Sequence, residues 1–415
     1  MDGDIEVSPS LMALLCLCIA NRDSAAADEH RAATAAAAAA AAAPSAGLVG
    51  VVAAVARAQL RRCGGMATAA IGLSGAYWRH LQRNNSVAQA RRNIAAHYDL
   101  SNDMFRLFLS ADMTYRRVAF AGFRLGFWIL AHAYSPHSCA IFEHPGESLQ
   151  CAQERKLRAL ATKARVSPGQ RVLEIGFGWG SLSLLLAKHF GARVTGITLS
   201  EQQLALATQR VKDAGVEHLV DFHLVDYRVH QPAGGLAYDR IVSCEMLEAV
   251  GHEYMPDYFR HCGRLLAPGG VLVVQVITTP EGRYEAYRRS TDFIKEYIFP
   301  GCCCPSLAAV LAAAGAGGNF TLAASEEIGT HYAPTLLRWR EAFMANRAQL
   351  HALGFNDAFV RCWELYFEYC AAGFATRTLG DVQLVLTVPG SAAVATLGNV
   401  PFRAEPEGPP PKLWW

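Results

Sequence analysis

The stretch QRVLEIGFGWGSLSLLLAKHF, residues 170–190, constrains the fold more than any other part of the chain. An apolar run suited to a buried strand carries one acid, Glu174, and passes into Gly176, Gly178 and Gly180 before an apolar helix. Glycines at that spacing let the backbone turn tightly and let another molecule approach it closely. The alternation then continues: ARVTGITLS predicts a strand, EQQLALATQRVKDAG a helix and VDFHLVDY a third strand. YDRIVSCEMLEAVG predicts a fourth strand with its loop, and, after a further helix, APGGVLVVQVITT a turn and a fifth. Units of this length predict an α/β fold with a doubly wound, mostly parallel, Rossmann-like sheet. Ligands of such sheets bind outside the carboxyl ends of the strands, at the point where strand order reverses. Beyond residue 279 a helical insertion runs to about residue 315, and two late strands, FTLAASEEIG and VQLVLTVPG, flank a pair of helices.

The glycine turn narrows the ligand. A dinucleotide fingerprint would place its third glycine at residue 181, which is serine, and an acid at the end of the second strand, which reads GITLSEQQ. With Asp226 and Tyr227 after the third strand and PGG before the fifth, the pattern favours S-adenosylmethionine over a nicotinamide.

Outside this section the chain is less regular. Residues 1–80 include the low-complexity tract AATAAAAAAAAAPSAG, which offers no apolar face to dock and predicts a disordered segment. Residues 81–166 predict a helical cap, residues 167–390 the catalytic domain and residues 391–415 a tail. The net charge of +2 gives no global field that would favour nucleic acid. Locally, eight arginines and no acid lie between residues 31 and 98, either a solvated segment or one drawn to anionic lipid headgroups. The twelve cysteines contain no C-x-x-C pair and read as buried thiols of a reducing compartment rather than as disulfides or zinc ligands. No stretch reads as a membrane span: 118–134 is short and carries Arg124. His97 has no second ligand at i+3 or i+4, so no metal site is expected.

HYDLSNDMF, SCAIF, VLEIGFGWGSL, GITLSEQQ, YDRIVSCEMLEAVGHEY, TDFIKEYIFPG, HYAPTLLRW and YCAAGFATRTLG occur in this order. The set resembles the cyclopropane-fatty-acyl-phospholipid synthase and mycolic acid cyclopropane synthase family, over residues 85–390, with EAVGHEY and RTLG most similar to its plant and algal branch. In that family MTY runs directly into SCAIF; here residues 116–137 separate them. The leading reading of this insert is translated intron sequence or another gene-model error, with a lid or membrane-facing loop as the alternative.

The resemblance implies a class I S-adenosylmethionine-dependent methyltransferase that transfers a methylene to a cis double bond of an unsaturated phospholipid acyl chain. A carbocation formed on the chain would lose a proton to a bound bicarbonate held by Cys139, Glu248, Gln275, Ile277 and Tyr332. Bacterial relatives have histidine where Gln275 and Ala249 stand. Gly176 and Gly178 would contact the methionine and ribose of S-adenosylmethionine, Thr198 and Gln203 the sugar or adenosine, and Asp226 and Tyr227 the adenine, with Tyr115 and Ser138 completing the shell. His97, Tyr98 and Asp99 would cap the same pocket. An acyl substrate drawn from a bilayer implies a cytoplasmic protein in peripheral contact with a membrane, or a plastid one. Methyl-branched lipid is the alternative product, and an inactive homologue that binds lipid or cofactor is the alternative if the insert is real.

Overall fold

The computed structural model describes residues 102–109 and 138–390, together with residues 11, 12 and 14–16. Tyr115, the insert at 116–137, His97, Tyr98, Asp99, the arginine-rich stretch and the tail lie outside the described residues.

A short helix, α1 (Asn102–Arg106), and a longer one, α2 (Leu149–Lys163), precede the sheet. The alternating section follows as β1 (Arg171–Ile175), α3 (Ser181–Phe190), β2 (Arg193–Thr198), α4 (Glu201–Asp213), β3 (Val220–Leu224), β4 (Tyr238–Cys244), α5 (Met255–Leu265) and β5 (Leu266–Thr278). The insertion carries α6 (Glu281–Arg288), a π-helical turn at Ile294–Ile298 and α7 (Leu307–Gly318). After β6 (Thr321–Glu327) come α8 (Tyr332–Ala345), α9 (Arg347–Ala352), α10 (Asp357–Ala375) and β7 (Gly380–Thr387).

The seven strands are ordered β3-β2-β1-β4-β5-β7-β6. β7 runs antiparallel to both neighbours, and the other neighbouring pairs are parallel. The expected mostly parallel, doubly wound sheet is present, and strand order reverses between β1 and β4. Successive residues of a strand face opposite layers. Val172, Val194 and Val273 therefore pack with Leu157, Leu185 and Val211 from α2, α3 and α4. Leu173, Ile241 and Val274 pack with Phe259 of α5 and Val310 of α7 on the other face.

A third apolar cluster lies outside these layers. It joins Phe105 of α1 and Trp179 of the glycine turn to Tyr332, Trp339 and Phe343 of α8, and to Trp363, Phe367 and Phe374 of α10. Phe105 is fully buried, 5.3 Å from the Trp179 ring and 6.2 Å from that of Trp363. The Trp179 indole N–H donates to Asn102 Oδ1 at 3.0 Å, which ties α1 to the turn. Among the described residues no helix is long and apolar enough to cross a membrane.

Candidate active site

A cavity of about 170 Å³ opens at the switch point, lined by the ends of β1, β2 and β4 and by residues after β3. Its wall includes Ser138, Gly176, Gly178, Thr198, Gln203, Asp226 and Tyr227, so all the described residues expected to bind the cofactor converge there. Gly176 has φ +79° and Gly178 φ +55°, a left-handed backbone that glycine adopts without strain. A Cβ on Gly178 would meet no atom of the described residues within 4 Å, whereas one on Gly176 would press on Met246 at 3.0 Å. The turn thus leaves a bare strip of backbone facing the cavity, the cradle a cofactor needs.

Other cofactor-side residues are fixed by one another. Thr198 Oγ1 donates to Gln203 Oε1 at 2.8 Å. Asp226 holds Arg228 through its main-chain N–H at 2.9 Å and through Nε and a terminal nitrogen at 2.8 and 2.6 Å. Tyr227 lies edge-on to Tyr258 at 5.2 Å, and burial raises its hydroxyl pKa. At the end of β1 the buried Glu174 accepts from the Ser183 hydroxyl, and burial pushes its carboxyl up to about 8.

The segment from Ser138 to Phe142 crosses the carboxyl ends of the strands and is pinned from both sides. The Ser138 carbonyl accepts from Gln153 Nε2 at 2.7 Å, and its hydroxyl accepts from Lys156 Nζ at 2.6 Å. Ala140 N–H donates to Thr335 Oγ1 at 3.2 Å, and Phe142 N–H to His331 Nδ1 at 3.3 Å. This clamp turns the Cys139 thiol toward the Ala140 and Ile328 carbonyls, and burial raises its pKa. The main-chain N–H of Cys139 faces the site instead.

Glu248 and Ile277 meet directly: Ile277 N–H donates to Glu248 Oε1 at 2.6 Å. Glu248 Oε2 is buried without a hydrogen-bond partner among the described residues. Burial, then the nearby charge of Glu245, pushes the Glu248 carboxyl up to about 8.

Cys139, Gln275 and Tyr332 converge on a residue that the sequence reading did not single out. Glu245 Oε1 accepts from Cys139 N–H at 2.9 Å and from Gln275 Nε2 at 2.7 Å; Oε2 accepts from the Tyr332 hydroxyl at 2.6 Å. Gln275 contacts the site through its side chain, while its carbonyl accepts from Glu245 N–H at 2.8 Å. A line of buried polar side chains continues behind it. Gln383 Nε2 donates to Gln275 Oε1 at 2.8 Å, and Lys163 Nζ donates to Gln383 Oε1. The lysine cation therefore fixes which way both amides face. Gln275 Nε2 also reaches Asp381 Oδ2 at 3.0 Å. Burial, then the charge and hydrogen bond of Glu245, raises the Asp381 carboxyl well above its usual range.

This arrangement does not fit the bicarbonate expected beside these residues. Three of the donor-bearing residues assigned to it already serve the Glu245 carboxylate. A second anion there would also stand against the Glu245 carboxylate, and like charges at close range in a site shielded from water repel strongly. Lys156, fully buried against the cavity wall, is another residue that the sequence reading passed over. The pair Glu245 and Glu248, at i and i+3 just after a strand, was the available signal for the first; a lysine on a helix offered none.

The family model described as mycolic acid cyclopropane synthetase matches residues 127–384. The chain belongs to this family. Tuberculostearic acid methyltransferase UfaA1 of Mycobacterium tuberculosis is 41% identical over 314 residues, which cover 74% of this chain and 67% of that protein. The cyclopropane-fatty-acyl-phospholipid synthase of Escherichia coli K12 is 31% identical over 69% of this chain and 65% of its own length. The match thus spans about two thirds of either relative. Among solved structures, mycolic acid cyclopropane synthase CmaA1 complexed with SAH and CTAB superposes with a TM-score of 0.61 at 30% identity, covering 71% of this chain and 97% of that one. This cyclopropane synthetase family member is a methyltransferase dependent on S-adenosylmethionine, and its relatives' names are those of lipid-modifying enzymes.

Proposed function

We propose that the enzyme adds the methyl carbon of S-adenosylmethionine to a cis double bond of an unsaturated phospholipid acyl chain, the adduct closing to a cyclopropane. The observation that carries this reading is the half-buried Glu245 carboxylate with its donors from Cys139, Gln275 and Tyr332, in the wall of the cofactor cavity and beside the aromatic cluster of α1, α8 and α10. An alkene is a weak nucleophile, so addition to it needs close positioning, and the cation it leaves must meet a base before it meets water.

When bound, S-adenosylmethionine supplies the electrophilic carbon. Gly176 and Gly178 would bind its methionine and ribose against bare backbone, Thr198 and Gln203 its sugar, and Asp226 and Tyr227 its adenine. Ser138, held by Lys156 and Gln153, would close the near side; Tyr115 is assigned there by the resemblance alone. Glu248, through Ile277 N–H, would brace the loop after β4 against β5. Trp179, Tyr332 and Phe374 would keep water from the reacting carbons.

A second reading, a methyl-branched or methylene lipid, is supported by the name of the UfaA1 relative, a tuberculostearic acid methyltransferase. Mass spectrometry of lipids from a host expressing the chain separates the two. Ring closure adds one CH₂ and removes the alkene, whereas a methylene product retains an unsaturation that hydrogenates readily. Unchanged acyl chains beside a folded, SAM-binding protein would defeat both. Peripheral membrane contact belongs to the same reading. Tyr297, 69% exposed, and Tyr369 flank Phe293 and form an aromatic edge suited to an interface. Vesicle sedimentation of wild type and Tyr297→Ser tests it, with weaker sedimentation of the variant expected.

A further inference from the structure

We infer that Glu245 is itself the proton acceptor of the reaction, a carboxylate of the chain standing where the family resemblance places a bound bicarbonate. The inference deepens the reading above and rests on it. Three donors from three separate segments, Cys139 N–H, Gln275 Nε2 and Tyr332 O–H, end on its two oxygens. Oxygens approached by neutral donors in this way are the arrangement of an ionised carboxylate.

The backbone carries a second sign. Glu245 has φ +50°, a left-handed conformation that an L-residue with a long side chain adopts at a cost of about 1–2 kcal/mol. Strain of this kind persists where surrounding contacts over-determine it, and it clusters at functional sites. Here the strained residue follows the last residue of β4, its N–H is held by the Gln275 carbonyl, and its side chain enters the cavity wall.

The two neighbouring carboxyls are poorly placed for the task. One oxygen of Glu248 is committed to Ile277 N–H, and burial favours its protonated form. Asp381 is fully buried behind Gln275 and is not part of the cavity wall.

The step balances without any external base. The alkene π pair forms the new C–C bond to the donated methyl carbon, and the S–C bond breaks, leaving its pair on sulfur as the thioether. The cation on the adjacent acyl carbon is then neutralised. A C–H bond of the new methyl group gives its proton to Glu245, and its electron pair closes the third side of the ring. In the methylene outcome a hydride shift comes first, and the same proton is lost. Glu245 returns the proton to solvent after product leaves.

The test uses the full chain, dioleoyl phospholipid vesicles and methyl-labelled S-adenosylmethionine, in buffer freed of carbon dioxide and in the same buffer with millimolar bicarbonate. Wild type is expected to transfer label equally in both. Glu245→Gln, nearly isosteric, is expected to lose roughly 100-fold or more, the scale of a removed general base. Glu245→Gly relieves the backbone and empties the cage, so bicarbonate is expected to restore part of its rate. A thermal-shift titration gives a readout apart from turnover: bicarbonate should stabilise Glu245→Gly and leave wild type unmoved. A wild-type rate that falls without bicarbonate, stabilisation of wild type by the ion, or full activity of Glu245→Gln would each overturn the inference. If wild type labels no lipid in either buffer, the functional reading fails instead, while the titration still decides whether Glu245 fills the anion's place. If Glu245→Gly does not fold, Glu245→Gln and the wild-type titration decide.

Discussion

The Tyr332 hydroxyl donates to Glu245 Oε2 at 2.6 Å across 87 positions of sequence. The tyrosine ring is stacked on Phe374 at 4.3 Å with 15° between planes, so the hydroxyl is aimed by aromatic packing and not by the bond itself. Burial, then the charge of Glu245, holds the phenol well above its usual pKa, and it stays a donor through the working range. Tyr332→Phe keeps the stack and removes one donor. We expect kcat to fall by about 10- to 100-fold, with the KM for S-adenosylmethionine nearly unchanged and stability altered by about 1 kcal/mol. Steady-state labelling at saturating and limiting cofactor separates this from a structural lesion, which would move both constants.

Lys163 is not part of the cavity wall, yet it orients both amides behind Glu245. Its Nζ also meets Glu326 Oε2 at 2.5 Å. Lys163→Met frees Gln383 to turn, and with it Gln275. The expected outcome is a loss of about 3 kcal/mol of stability from the broken buried pair. A kcat decline of about tenfold should accompany it, the lower end of a misplaced proton acceptor. Lys163→Arg should restore kcat more than stability, and calorimetric S-adenosylmethionine affinity should hold in both.

Glu245 and Lys163 show where the sequence ran out. The order of strands and helices was legible because apolar runs, glycine turns and helical spacing are local signals. Part of the cavity wall was legible for the same reason, since Gly176, Gly178, Asp226 and Tyr227 stand just beyond strand ends, whereas Ser138, Thr198 and Gln203 came from the family resemblance. Glu245 was not, because its place depends on β4 ending one residue earlier and on a left-handed backbone, neither of which is written in residue type. Lys156 and Lys163 sit on α2, where no local signal separates a buried lysine from a solvated one. Their burial follows from the crossing segment at Ser138 and from the register that pairs Gln275 with Gln383, both long-range facts.

Glu248 gives the site an alkaline sensitivity. Its folded pKa of about 8 lies above the ordinary 4.5, so the folded state binds the extra proton. The stability this contributes is full below the unfolded value and is lost as pH rises through the folded one. Glu174, also pushed up to about 8, acts in the same direction. Thermal midpoints should therefore decline between about pH 5 and pH 9, by an amount on the order of a few kcal/mol in free energy. Glu248→Gln should flatten part of that slope. Calorimetric scans of both proteins across the range check it, and parallel slopes would assign the buried oxygen elsewhere.

Gly178 offers the sharpest separation of binding from folding. Alanine there meets no atom of the described residues within 4 Å, but its methyl occupies open space at a residue of the cavity wall, at φ +55°. The left-handed backbone alone costs about 1 kcal/mol. Gly215 supplies the control: it has φ +67°, equally open surroundings and a place at the end of α4, away from the cavity wall. Gly178→Ala and Gly215→Ala should lower the thermal midpoint alike. Only Gly178→Ala should weaken S-adenosylmethionine, by about tenfold or more, equivalent to about 1.4 kcal/mol. Isothermal titration of the two variants makes the comparison, and equal affinities would mean that the bare strip of backbone is a turn and not a cradle.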